Sequence, residues 1–173
     1  MMLQHSSQAE HGATRVRAAT AADMEQLVEM SRLLHAEGSY RDIAIHEPKL
    51  RAFLAHAMTD AGHACFVYQD RSGRLTGFMA GYVAAHFFSL EKSAYDLFVF
   101  VRPERRGSLI AYRLWSAFKA FAEQAGARTL CFGTIAGIAP ARTRKFFTGL
   151  GMTEVGSLYL ETLNAAPAAR QMV

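Results

Sequence analysis

The sequence lacks most of the features that mark membrane and secreted proteins. No apolar run in its 173 residues approaches the length of a membrane span, which is roughly 20 residues. The polar start, Met1–His11, has none of the apolar core of a signal peptide. We therefore expect a cytoplasmic protein that has no membrane partner.

Recognisable metal and nucleic-acid motifs are also missing. The seven histidines include no H-x-x-x-H pair, and Cys65 and Cys131 do not have metal-ligand spacing, so the sequence predicts no metal. Both cysteines lie in apolar stretches, where we expect free, buried thiols. The net charge of +4 is mild and the arginines form no long block. Because no recognised motif accompanies the charge, we expect no nucleic-acid partner.

The overall composition is that of one ordinary globular domain. Hydrophobic residues make up 51% of the chain and charged residues 20%, which is typical of a folded soluble protein with a real core. The first and last segments are polar and have no hydrophobic period. We predict a tail at residues 1–13, a single domain at 14–163 and a second tail at 164–173.

The most informative stretch predicts a strand, then a basic loop containing a glycine, then a helix. The apolar run Leu97–Val101 reads as a buried strand, and Pro103 ends it. After the loop, apolar residues recur at helical spacing at Ile110, Leu114, Phe118, Phe121 and Ala125. Unpaired N–H groups and the positive end of a helix dipole would suit a phosphate or pyrophosphate there. An ordinary turn with solvated arginines is the alternative, because short glycine motifs are frequent by chance.

The rest of the chain predicts a sheet flanked by helices. The order of elements is β-α-α-β-β-β-α-β-α-β, which favours the α/β class with a mixed sheet (α+β mixed sheet). The other predicted strands are Thr14–Ala18, His63–Gln69, Leu75–Phe88, Thr129–Ile135 and Thr153–Leu163. The other predicted helices start at Thr20 (ending near His35), at Lys49 (ending at Thr59) and at Pro140 (ending at Leu150). A right-handed crossover would place the basic loop at the carboxyl edge of the sheet, where α/β proteins bind ligands.

The basic loop also carries a resemblance to a known family. Residues Val101–Ala111 read VRPERRGSLIA and resemble the acyl-CoA-binding signature V-x-P-x-x-(Q/R)-x-x-G-x-(G/A) of the GCN5-related N-acetyltransferases, the GNAT family. Arg106 occupies the Gln/Arg position, whereas Leu109 replaces the middle glycine. The segment Arg142–Met152 is similar to the fourth conserved segment of the family, and the resemblance covers roughly residues 15 to 163. It implies the GNAT acyl-CoA N-acyltransferase fold, a central twisted mixed sheet flanked by helices.

The resemblance implies that an amine attacks the thioester of acetyl-CoA directly. Acetyl-CoA would be the co-substrate, the acceptor a small-molecule or protein amine, and a homodimer is possible through the apolar closing segment Val155–Leu160. The implied cofactor-binding residues are Val99, Phe100 and Val101 for the pantetheine arm, Arg106, Gly107, Ser108, Leu109, Ile110 and Ala111 for the pyrophosphate, and Phe147 against the arm. A non-catalytic acyl-CoA-binding or sensing module is the alternative. The absence of G-x-x-x-x-G-K-[ST] argues against an unrelated nucleotide-binding protein.

Candidate catalytic and substrate-binding residues are fewer than the cofactor-binding ones. Asp96 is the nearest carboxylate to the family's base position, although that position aligns closer to Tyr95, and capping the start of the strand is the alternative role. Phe147 stands where many family members have a tyrosine that protonates the leaving thiolate, and a phenyl ring cannot donate a proton. The candidate substrate-binding residues are Glu37, Tyr40 and His86, for which an exposed or structural role is the alternative.

Overall fold

A mixed five-stranded sheet forms the centre of the structure, a computed structural model that describes residues 15–133 and 136–160. The strands are β1 Val16–Ala18, β2 His63–Gln69, β3 Leu75–Ala85, β4 Lys92–Val101 and β5 Ala127–Cys131, and they lie in that order. The helices are α1 Met24–Glu37, α2 Glu47–Thr59, α3 Ile110–Gln124 and α4 Pro140–Gly149. Neighbouring strands are antiparallel except for β4 and β5, which are parallel. The predicted mixed sheet flanked by helices is confirmed.

Two hydrophobic clusters pack on the sheet. One cluster joins α1 and α2 to β2, β3 and β4 and includes Leu27, Leu54 and Phe78. The other joins α3 to the same strands and includes Leu114 and Phe118. Of the stripe predicted for α3, Ile110, Leu114 and Phe118 are buried and Phe121 is partly buried, whereas Ala122 instead of Ala125 is the last buried residue. Each fully buried aliphatic or aromatic side chain contributes about 1.5–3 kcal/mol of hydrophobic stabilisation.

The start of the first helix is fixed by a capping arrangement that the sequence predicts. The N–H of Thr20 donates to the Asp23 carboxylate at 2.8 Å, and a short 3-10 turn precedes α1. The Arg17 guanidinium donates two hydrogen bonds to the same carboxylate, at 2.7 and 2.8 Å. These contacts, above all the one with Arg17, lower the pKa of Asp23 to about 2.

Strand β4 pairs with a strand on both sides over its first part and on one side only over the rest, and this difference positions the site. On one side it pairs with β3 as far as the pair Val101 and Gly77. On the other side its pairing with β5 ends at Tyr95 and Cys131. Within the part of the chain that the structure describes, β4 therefore has an open edge from Asp96 onward.

Close packing between α3 and the sheet depends on a glycine. A Cβ atom on Gly81 would lie 2.4 Å from the Phe118 ring and 2.5 Å from the carbonyl oxygen of Tyr95. Both separations are far below van der Waals contact. Glycine at this position lets α3 approach β3 and β4 directly beneath the strand that forms the site.

Several predicted boundaries were wrong. Strand β3 ends at Ala85 instead of Phe88, because the N–H of His86 donates to the carbonyl of Glu91 at 2.8 Å and closes a hairpin. Strand β4 consequently begins at Lys92, before the predicted strand that starts at Leu97. Strand β5 begins at Ala127 instead of Thr129, and residues 134–135 of the predicted strand lie outside the described residues.

The predicted closing strand was also wrong over the residues that the structure describes. Residues 153–160 form no strand, and residues 161–163 are outside the described ranges, as are both predicted tails. Val155 is 96% exposed and Tyr159 is 92% exposed. An apolar sequence alone therefore did not make this segment pair with the sheet. The prediction of a buried Cys131 was wrong too, because the thiol is exposed at the end of an edge strand, whereas Cys65 is buried. Among the described residues, no helix is both long and apolar enough to cross a membrane.

Candidate active site

A cleft of about 460 Å³ opens where β4 and β5 separate. One wall is the open edge of β4, Asp96–Val101. The opposite wall is formed by residues 136–139 and by α4, and the loop before α3 closes one end. Because β5 pairs with β4 only as far as Tyr95, the main chain of this half of β4 faces the cleft without a neighbouring strand.

The loop before α3 combines a glycine turn with the start of a helix. Gly107 has φ +86°, a conformation that favours glycine, and a Cβ there would lie 3.1 Å from an Nη atom of Arg142. The Ser108 hydroxyl donates to the carbonyl of Arg105 at 2.7 Å and lies 3.4 Å from the Ile110 nitrogen, which places it at the start of the helix. The first N–H groups of an α-helix have no intrahelical acceptor, so this end carries partial positive charge.

Arg106 has a structural role in this loop. Its guanidinium pairs with the Glu37 carboxylate through two contacts of 2.8 and 3.0 Å, and its Nε donates to the carbonyl of Val101 at 3.0 Å. It also lies over the Phe100 ring, 5.6 Å from the ring centre. These contacts fasten the loop to the ends of α1 and β4. The Glu37 carboxylate, predicted as a substrate contact, is therefore engaged by Arg106.

Two other arginines supply positive charge to the cleft. Arg105 and Arg142 both line it, and within residues 15–133 and 136–160 neither forms an ion pair with an acidic side chain. No role was predicted for Arg142 from the sequence. Its only signal was its place at the start of the segment that resembles the fourth conserved segment of the family, and its approach to Gly107 depends on how α4 packs.

Asp96 lies at the point where β4 and β5 diverge. The N–H of Gly133 donates to its carboxylate at 2.7 Å. Burial raises the pKa of Asp96 to about 6, while that hydrogen bond and one from its own main chain act in the opposite direction. A half-buried carboxylate with this pKa is ionised near neutral pH and able to accept a proton.

The backbone around Asp96 differs from the regular strand assumed for the sequence. Ala80 pairs with Phe98 and Gly81 pairs with Asp96, so Leu97 is an extra residue in β4. Such a bulge interrupts the alternation of side chains, so Asp96 does not share a face with Phe98 as it would in a regular strand. The bulge lies beside the cleft, where it sets the direction of the carboxylate.

The predicted cofactor-binding residues fall into three groups: most line the cleft, one is exposed and one is buried. Eight of the ten predicted residues line the cleft: they are Val99, Phe100, Val101, Arg106, Gly107, Ser108, Ala111 and Phe147. Leu109 is 64% exposed and Ile110 is buried in the cluster beneath α3. Neither of these two residues lines the cleft, so the leucine that replaces the family's middle glycine does not take up space in it.

The predicted substrate contacts lie outside the cleft lining. Tyr40 lies in the turn after α1, where its carbonyl accepts the Ile43 N–H at 2.9 Å. His86 lies in the hairpin beyond β3, where its ring stacks on Phe87 at 4.4 Å and its Nδ1 accepts the Phe88 N–H at 3.3 Å. These placements fit the structural alternative considered for each residue.

Aromatic rings without hydroxyl groups close the α4 side of the cleft. Phe147 packs against Phe132 and Phe146, with ring centres 4.9 and 5.2 Å away. Phe146 and Phe147 both line the cleft, and no tyrosine lines it among the described residues. A proton donor for a leaving group would therefore come from another source, such as water.

Comparison with known proteins gives a consistent result. The model of the acetyltransferase (GNAT) family matches residues 28–152. The solved structure of AAC(6')-Iy in complex with the bisubstrate analog CoA-S-monomethyl-acetylneamine is 16% identical, with a TM-score of 0.70, and the match covers 87% of this chain and 97% of that one. Glucosamine-6-phosphate N-acetyltransferase from Arabidopsis thaliana is 14% identical, with a TM-score of 0.67 and coverage of 86% and 97%.

A third structure, an aminoglycoside acetyltransferase from an uncultured soil metagenomic sample in complex with sisomicin, is 17% identical. Its TM-score is 0.65, and the match covers 86% of this chain and 95% of that one. No curated protein sequence matches this chain. At these identities the structures establish a shared fold, and the family match covers most of the chain.

Proposed function

This chain belongs to the acetyltransferase (GNAT) family, and we propose that it transfers an acetyl group from acetyl-CoA to an amine. The observation that carries the proposal is the open edge of β4, which faces a cleft bounded by a basic loop and contains a carboxylate with a pKa of about 6. These features supply a place for an extended acyl donor, a place for its phosphates and a base.

The binding residues fit a donor with a long arm and a charged end. The main chain of Val99–Val101 would pair with the pantetheine amides, because this part of β4 has no neighbouring strand on the cleft side; the Val101 carbonyl already accepts from Nε of Arg106. The N–H groups from Gly107 to Ala111, with Arg105 and Arg142, would hold the pyrophosphate. When bound, the donor would supply the activated thioester, and these residues would hold it in place.

Asp96 is suited to accept the proton of the attacking amine. A protonated amine is not a nucleophile, so the acceptor must lose a proton before or during attack. Above a pH of about 6 the carboxylate is ionised, which makes it available as a base. The hydrogen bond from Gly133 holds it at the mouth of the gap between the strands.

A specific observation also favours the second candidate, a non-catalytic acyl-CoA-binding or sensing module. The cleft has Phe147 where the family resemblance leads us to expect tyrosine, and no other tyrosine lines it among the described residues. A protein that senses acyl-CoA needs the binding residues and does not need a proton donor. The Phe147→Tyr variant addresses this point: an enzyme limited by protonation of the thiolate should become faster, whereas a sensing module should remain inactive.

The test of the proposed function is release of free CoA thiol from acetyl-CoA in the presence of amines. The panel should begin with amino sugars, because names of structural neighbours refer to glucosamine 6-phosphate and aminoglycosides, and should continue with polyamines and lysine peptides. Amine-dependent thiol release that is lost in Asp96→Asn would support the enzyme. Tight acetyl-CoA binding without turnover of any amine would favour the sensing module. The amine acceptor, the homodimer and the cytoplasmic location stay predictions.

A further inference from the structure

A second group of chemically active side chains lies away from the cleft, at the junction of α2 and β2. His56 is in the last turn of α2, Asp60 directly follows that helix, and His63 is the first residue of β2. One ligand atom from each of the three side chains lies within 4.8 Å of the other two. None of the three lines the cleft.

The backbone holds the three residues in a fixed frame. The Asp60 N–H donates to the His56 carbonyl at 2.9 Å, and the His63 N–H donates to the Asp60 carbonyl at 3.1 Å. The Gly62 N–H donates to Oδ1 of Asp60 at 2.8 Å, and Nδ1 of His63 lies 2.7 Å from the same oxygen. A short turn therefore ties the end of the helix to the start of the strand and holds the ligand atoms close together.

Two features of this frame favour a bound cation. Oδ1 of Asp60 and Nδ1 of His63 lie 2.7 Å apart, which brings an oxygen and a nitrogen ligand atom together. The cluster also lies at the carboxyl end of the 13-residue helix α2, where the helix dipole is negative. The rings of His56 and His63 are 4.5 Å apart at their centres, and the His63 ring is backed by Tyr82 at 5.6 Å.

We propose that His56, Asp60 and His63 bind one divalent transition-metal ion, of which Zn²⁺ is the best candidate. Two imidazoles and one carboxylate are ligands for zinc and its first-row neighbours, whereas Mg²⁺ and Ca²⁺ prefer oxygen alone. Three side chains leave further coordination positions to water, because His56 and Asp60 are exposed. The site is independent of the proposed acetyl transfer.

No metal was predicted from the sequence because the seven histidines include no pair at H-x-x-x-H spacing. The cluster has the spacing H-x-x-x-D-x-x-H, in which the first two residues are one helical turn apart and the third follows a tight turn. This spacing works because α2 ends at Thr59, directly before the second ligand, and the third ligand follows the turn. That end point is not apparent from a search for two histidines on one helix.

The test is a titration of the full chain, without an affinity tag, with Zn²⁺ by calorimetry at pH 7.5, using Mg²⁺ as the comparator. We expect one Zn²⁺ ion per chain with a dissociation constant in the micromolar range and no comparable binding of Mg²⁺. The variants His63→Gln and His56→Gln should each weaken Zn²⁺ binding by about tenfold or more. Binding should also weaken at pH 5.5, because protonated imidazole is not a ligand.

Matched controls separate this site from other histidines. His86→Gln, in the hairpin beyond β3, and the double variant His5→Gln/His11→Gln, outside the described residues, should leave Zn²⁺ binding unchanged. Circular dichroism and melting in the presence of EDTA would check that all variants are folded. Absence of Zn²⁺ binding at millimolar concentration, or binding that survives both His56→Gln and His63→Gln, would overturn the proposal.

Discussion

Replacing Asp96 with asparagine should make the protein inactive and, above pH 6, more stable. Burial raises the pKa of this carboxyl from its usual 3.8 to about 6, which means that the folded state disfavours the charged form. In the folded chain the group binds a proton at pH values where the unfolded chain has lost it, so the free energy of unfolding falls as pH rises through this range. The difference between the two pKa values corresponds to roughly 3 kcal/mol, at about 1.4 kcal/mol for each tenfold step.

Asparagine cannot ionise, so the Asp96→Asn variant avoids this cost while its side-chain oxygen can still accept the Gly133 N–H. Relative to the native chain, the variant should gain up to about 3 kcal/mol of unfolding free energy between pH 4 and pH 7. Its amine-dependent turnover should fall by a factor of roughly 10² to 10⁴, the usual contribution of a general base.

The stability part of this prediction needs no knowledge of the acceptor. Urea unfolding of both proteins at several pH values gives the difference in free energy directly, and the other carboxyl groups cancel because both chains contain them. A difference that does not change between pH 4 and pH 7 would refute the argument that burial raises the pKa. A variant with normal turnover would refute the role of Asp96 as the base.

Two further substitutions test the loop and the packing beneath the site. Arg142→Gln should weaken acetyl-CoA binding by about tenfold in calorimetry, because a charge-assisted hydrogen bond contributes about 1.5–3 kcal/mol. The control Arg144→Gln removes the same charge outside the cleft lining and should bind acetyl-CoA normally. An equal loss of affinity in both variants would indicate a bulk charge effect. Gly81→Ala should destabilise the fold by roughly 2 kcal/mol or more, because its Cβ would overlap the Phe118 ring. Chemical denaturation should show this loss of unfolding free energy. The control Gly149→Ala, which has no atom within 4 Å of its Cβ, should show no loss.

The features that the sequence predicted well depend on local pattern. The basic loop was placed correctly between a strand and a helix because Pro103 and the apolar period from Ile110 onward mark its two ends. The start of the first helix was likewise predicted from Thr20 and Asp23, which are three residues apart. Interactions over such short distances are encoded in neighbouring residues.

The features that the sequence did not predict depend on partners far away in the chain. The pairing of Arg106 with Glu37 joins residues 69 positions apart, and no local pattern indicates it. The bulge at Leu97 depends on its register with β3, and a one-residue change of register reverses the face of each side chain. Residues 153–160 of the predicted closing strand show the same limit, because pairing with a strand edge depends on residues far away in the chain.

The most direct test of the whole account is calorimetric titration of the purified protein with acetyl-CoA, with dephospho-CoA and ATP as comparators. We predict one binding site per chain with micromolar affinity for acetyl-CoA and much weaker binding of ATP, which has phosphates but no pantetheine arm to pair with β4. No detectable binding of acetyl-CoA, or ATP binding of equal strength, would contradict the claim that the cleft between β4 and β5 is an acyl-CoA site.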